Sequence, residues 1–75
     1  MSEIFYEVRV GAILEQAWRQ WFPDVRLEIE RPVGGAARTL IVVPGSDVSL
    51  LHGVLAQIGS LNLCLLTVVR RGGEQ

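Results

Sequence analysis

An α+β fold, with one four-stranded antiparallel sheet and two helices on one of its faces, is what this sequence predicts. Three observations carry the prediction: two segments alternate apolar and polar residues with period two, two further segments are apolar without interruption, and two stretches repeat apolar residues every three or four positions. The first pair reads as half-buried strands, the second as strands covered on both faces, and the third as amphipathic helices.

Taken in order, Ile4, Tyr6, Val8 and Val10 alternate with Phe5, Glu7 and Arg9, which gives the first strand. Gly11 breaks that pattern. Ala12 to Phe22 then reads as a helix with Leu14, Ala17, Trp18 and Trp21 on one face, ended by Pro23. Val25, Leu27 and Ile29 alternate with Arg26, Glu28 and Glu30, a second strand with one charged face. Pro32-Val33-Gly34-Gly35-Ala36-Ala37 supplies turn residues for a hairpin into a third strand, Arg38 to Val43, closed by Pro44-Gly45. Ser46 or Asp47 can cap the second helix, whose stripe is Leu50, Leu51, Val54, Leu55 and Ile58 and whose natural stop is Gly59. Asn62 to Arg70 forms the fourth strand, and Arg71 to Gln75 reads as a loose tail.

The order strand, helix, strand, strand, helix, strand is the split βαββαβ, ferredoxin-like pattern, with the sheet order 4-1-3-2 and one sheet face left open. Residues 1–75 hold one such domain and no second one. Apolar residues make up 49% and charged residues 20%, so the chain has the composition of a folding domain and not of a disordered tail.

Charge and cysteine exclude several classes. Seven Lys+Arg against eight Asp+Glu give a formal charge of −1, so no broad basic surface exists to neutralise a phosphate backbone, and nucleic acid is not an expected partner. All seven basic residues are arginine, which suggests a GC-rich bacterial source. With Cys64 alone no intramolecular disulfide can form, which points to a reducing cytoplasm. The opening residues lack a basic segment and meet Glu7 before any long apolar run, so no secretory leader is predicted, and no apolar stretch approaches the ~20 residues that span a bilayer.

The open face follows from the alternation. With Tyr6, Val8, Val10, Val25, Leu27 and Ile29 against the helices, Phe5, Glu7, Arg9, Arg26, Glu28 and Glu30 turn outward. Strands 3 and 4 present apolar residues in either register: Ile41 and Val43 or Leu40 and Val42, and Leu63, Leu65 and Val69 or Cys64, Leu66 and Val68. The candidate interface is Phe5, Ile41, Leu63, Leu65 and Val69, an apolar patch that another copy of the chain, or another protein, would cover.

Catalytic and metal chemistry find little support. One Cys and one His cannot build a zinc cage, and Cys64 in a Leu-rich strand reads as a small core hydrophobe and not as a nucleophile. Glu28 and Glu30 project from one strand as a solubilising edge, since exposure gives no means of raising a carboxyl pKa for acid catalysis. Gly34-Gly35 lacks the Gly-Lys-Ser/Thr of a phosphate loop. An RNA-recognition motif needs aromatics on strands 1 and 3, and only Phe5 is offered. Val8-Arg9-Val10-Gly11 before the first helix reads a little like acylphosphatase, but that enzyme's Arg-bearing loop is missing. Trp18, Trp21 and Phe22 read as a buried aromatic anchor, with Gly53 letting an indole of the first helix lie against the second. His52, off the apolar stripe, should be exposed or at its flank. No cofactor is implied.

Trp18-Arg19-Gln20-Trp21-Phe22, Asp47-Val48-Ser49-Leu50-Leu51-His52-Gly53-Val54-Leu55 and Leu61-Asn62-Leu63-Cys64-Leu65-Leu66 together resemble a family of small uncharacterised bacterial proteins. Its members read W-x-x-W-F, D-Q-x-x-L-H-G-x-L and L-x-L-x-L-L-S-V. The resemblance covers nearly the whole chain and departs at Val48, where the family has Gln, and at the longer Pro32 to Ala37 hairpin. It brings no activity, but it draws attention to His52. The leading expectation is a non-enzymatic homodimeric interaction module. The alternative is a regulatory domain resembling the ACT type, binding an amino-acid-sized effector near Gly11 at a dimer interface.

Overall fold

The computed structural model describes residues 3–73, and Glu74 and Gln75 of the expected tail lie outside them. The elements run β1 (Phe5–Val10), α1 (Ala17–Trp21), β2 (Arg26–Glu30), β3 (Arg38–Pro44), α2 (Val48–Ser60) and β4 (Leu65–Arg71). The antiparallel sheet has the order β2-β3-β1-β4, so the ferredoxin-like α+β arrangement stands as read. Arg71 belongs to β4 and not to a tail.

Register fixes which side chains face the helices. Val8 sits opposite Ile41 on β3 and Val68 on β4, and Val10 opposite Thr39. Val8, Val10, Ile41 and Val43 are fully buried and share one cluster with Trp18 of α1 and Leu51, Val54 and Ile58 of α2. Both helices therefore bury the same sheet face. Trp18 is the aromatic centre, tilted against Trp21 at 5.9 Å and against Phe22 at 5.5 Å. The ring that lies against Gly53 is Phe22 and not an indole: a Cβ there would stand 3.6 Å from Phe22 Cε1.

Two helix boundaries differ from expectation, each for a local reason. Residues 12–16 are not helical, because buried Thr39 captures their backbone: its hydroxyl donates to the Ala12 carbonyl at 2.6 Å and accepts from the Leu14 amide at 3.1 Å. A side chain that satisfies backbone groups this way competes with the helix for them. The segment is laid across the sheet as a strap, and α1 begins only at Ala17.

At the other helix, Asp47 is the cap, its Oδ1 accepting from the Leu50 amide at 3.0 Å. Gly59 does not stop the helix. Asn62 takes the left-handed position with φ 57°, donating to the Gly59 carbonyl at 3.0 Å, while the Leu63 amide donates to the Ile58 carbonyl at 3.0 Å. That pair of bonds is a Schellman ending, and Leu63 packs onto the cluster that contains Ile58, as such endings favour.

Candidate functional site

The open face is closed by charge. Glu30 on β2 accepts from Arg38 Nε at 2.8 Å and from both Nε and Nη2 of Arg9 on β1, at 3.0 and 3.2 Å. Arg9 also stands 3.6 Å from Glu7, which accepts from Arg71 Nε on β4 at 3.0 Å. The ladder Arg38–Glu30–Arg9–Glu7–Arg71 thus crosses all four strands. Arg9 reaches Glu30 over β3, whose outward residue at that point is Leu40, opposite both Arg9 and Glu28 and only 6% exposed. The apolar floor that strands 3 and 4 were expected to offer is roofed by ion pairs.

The ladder sets its own titration. The hydrogen bond from Arg71, then the charges of Arg71 and Arg9, hold the Glu7 carboxyl below its ordinary range. Bonds from Arg9 and Arg38 do the same for Glu30, and Glu30 raises the Arg9 guanidinium in turn. Carboxyls held low are suited to ion pairing and not to delivering a proton near neutral pH.

The sequence-derived interface residues do not form one surface. Phe5 and Val69 lie on the open face, half-buried, with Phe5 opposite Arg71 and Val69 opposite Glu7. Ile41 is fully buried beneath the helices, so it cannot meet a partner; β3 turns Leu40 and Val42 outward instead. Leu63 also packs against the core cluster, at the helix side. Leu65 is opposite Val10, likewise on the helix side, but stays exposed. Cys64 is exposed and not a core residue: its carbonyl accepts from the Gly11 amide at 2.8 Å, and its Cβ stands 3.5 Å from where a Cβ on Gly11 would lie. Gly11 has no positive φ and room for a side chain, and His52 is exposed on α2.

The sequence reading names Leu65, with Leu66 and Val68 in the other register, but misses the apolar flank that Ile13, Trp21 and Leu61 complete. Ile13, Trp21, Leu61, Leu65, Leu66 and Val68 are each between 43% and 51% exposed. Ile13 of the strap, Trp21 of α1, and Leu61 and Leu63 of the link into β4 line a groove of about 340 Å³. Leu65 and Val68 continue the apolar surface along the helix side of β4, which the five-residue α1 leaves bare. The signal was present: an order of 4-1-3-2 makes strand 4 an edge, so an apolar run there cannot be covered on both faces as a central strand is. A second, open depression of about 730 Å³ lies at the other end of the sheet, beside Phe5, Asp24, Arg26 and Ser46.

Among the described residues no three His, Cys, Asp or Glu side chains gather as metal ligands, and no helix is long and apolar enough to cross a membrane. Compared with known protein families, residues 5–69 match one described as a domain of unknown function (DUF8691). No curated protein and no solved structure matches the chain.

Proposed function

We propose that this chain, which belongs to the family of the domain of unknown function DUF8691, works by protein contact and not by catalysis, as a homodimeric interaction module. The observation that carries this reading is the apolar flank: six half-exposed apolar side chains on and beside one edge of the sheet, in a molecule whose open face is spanned by ion pairs. Surfaces of that kind are costly in water and are characteristic of interfaces. The contact surface in this reading is the flank of β4 and the strap, not the open face. The setting proposed is a bacterial cytoplasm, in keeping with basic residues that are all arginine and a single exposed thiol.

Light scattering across a dilution series tests the reading. A mass near twice 8.3 kDa that falls only at low concentration is the expected result, and a monomer at every concentration contradicts it.

A second reading has one observation in its favour. The groove beside Ile13 and Trp21 begins at Ala12, directly after Gly11, where an effector-binding domain of the ACT type would hold an amino-acid-sized ligand. Under that reading a panel of free amino acids contains one that raises the melting temperature in proportion to the logarithm of its concentration. No shift across the panel removes it.

A further inference from the structure

We infer that two copies of the chain join edge to edge through β4, antiparallel, merging two four-stranded sheets into one continuous sheet. The inference rests on the self-association proposed above and specifies its geometry. β4 ends the sheet, with β1 on one side and no strand among the described residues on the other, so one row of its backbone donors and acceptors is unpaired. Apart from the bulge at its start, the strand carries none of the usual protections over Leu65 to Val69: no charge, no proline, and apolar side chains to both faces.

The occupant is a second copy because β4 complements itself. A two-fold axis through Arg70 or Arg71 would set like charges directly opposite each other. An axis through Thr67 would bring Leu65, on the helix side, opposite Val69, on the open side, because the bulge between Arg9 and Val10 shifts the register there. An axis at Val69 avoids both problems, setting Val69 on Val69, Val68 on Arg70 and Thr67 on Arg71. An axis at Val68 sets Val68 on Val68 and Thr67 on Val69, with the faces matched only over that stretch, since Leu65 would again meet a residue of the open side, Arg71. Arg71 is already held by Glu7 of its own chain. Of the exposed apolar flank, the pairing brings Leu65, Leu66 and Val68 of both copies to the seam, where apolar contact replaces water. Pairing β4 with the β2 edge instead would lay Thr67 and Val69 beside Arg26, Glu28 and Glu30 and generate an open chain of molecules.

The test places single cysteines on a Cys64→Ser background. Opposed residues of antiparallel strands have Cα atoms ~4.5–5.5 Å apart, within the span of a disulfide. Under a mild oxidant, Val68→Cys or Val69→Cys should convert to a disulfide-linked dimer in which two thiols lose their protons and two electrons to the oxidant. Ile29→Cys, more exposed than either but on β2, should stay largely unlinked. The mass of the unaltered chain is measured alongside. A dimer with efficient linkage at Val68 or Val69 and little at Ile29 supports the edge pairing. A dimer in which neither Val68→Cys nor Val69→Cys links better than Ile29→Cys overturns the pairing and leaves self-association through another surface. A monomeric unaltered chain overturns both.

Discussion

The two edges of this sheet are built in opposite ways. β2 is five residues long and turns Arg26, Glu28 and Glu30 to the open face; Arg26 and Glu28 pair with each other at 2.8 Å, and Pro32 follows soon after its end. β4 is seven residues long and offers Leu65, Leu66, Thr67, Val68 and Val69 before its first charge. Charge, brevity and a nearby proline are how sheets prevent strangers from adding a strand. β2 uses all three, and β4 keeps only the bulge that twists its first residues. The difference shows that edge protection in this chain is selective. Where the sequence could have placed a glutamate it placed a leucine, at a site with no core to fill.

Giving β4 the chemistry of β2 should have the largest effect. In Val68→Glu with Val69→Glu, carboxylates would face one another across a two-fold axis at Val68 or Val69. Self-association should weaken at least ~100-fold, equivalent to about 2.7 kcal/mol, while circular dichroism stays that of the folded monomer. Sedimentation across a concentration series reads this directly, and an unchanged dimer would mean that the bare edge is incidental. Next in size is Thr39→Val, which keeps the shape of a buried side chain but strands the Leu14 amide and the Ala12 carbonyl. A loss of about 1–3 kcal/mol in urea denaturation is expected, with faster proteolysis within residues 12–16 as the strap lets go. If Thr39→Val is as stable as the parent, the strap is held by the packing of Leu14 on the core instead.

How much of this was legible follows from the range of the forces involved. The alternation in Val25 to Glu30 and the proline after Phe22 are local signals, and β2 and the end of α1 fell where they pointed. The start of α1 did not, because the group that dissolves its first turn, Thr39, is 25 residues from Leu14 in sequence. The open face was misjudged for a similar reason. Glu30 and Arg9 belong to strands that are not neighbours, and their pairing over Leu40 depends on side-chain reach across β3 and not on period. Cys64 was misplaced by its Leu-rich surroundings. Composition cannot distinguish an apolar run in the middle of a sheet from one at its edge, although the strand order already derived could have done so.

The ladder beneath which Leu40 lies gives a smaller effect with a definite sign. Glu7 and Glu30 have carboxyl pKa values lower in the folded chain than in the unfolded one, so the unfolded state binds more protons as acid is added. Their contribution is fully present above the ordinary carboxylate range of about 4–4.5 and is lost as pH falls through the lowered values. The raised Arg9 value works in the other direction and matters only under strongly alkaline conditions. Thermal melts from pH 7 to pH 2.5 should therefore be flat at first and then decline. The decline should be shallower in Glu7→Gln with Glu30→Gln, and an identical slope in that variant would assign acid sensitivity to other carboxyls. High salt should also flatten it, since these groups are only partly shielded.

The smallest predicted change concerns how the chain is delivered into β4. Asn62 holds a left-handed backbone that closes α2 and sends Leu63 onto Ile58 and then into the bare strand. Asn62→Ala forces a Cβ-bearing residue with no compensating side-chain bond into that geometry and should cost about 1 kcal/mol. Asn62→Gly removes the strain but loosens the unfolded chain, and these nearly cancel, leaving a shift within ~0.5 kcal/mol. Measured together, the pair separates two ways of positioning the β4 edge. If Asn62→Ala weakens association as well as stability, the Schellman ending sets the path of the strand that a second copy meets. If stability falls and association does not, the ladder with β1 alone is enough to present β4, and the cap serves only the helix it closes.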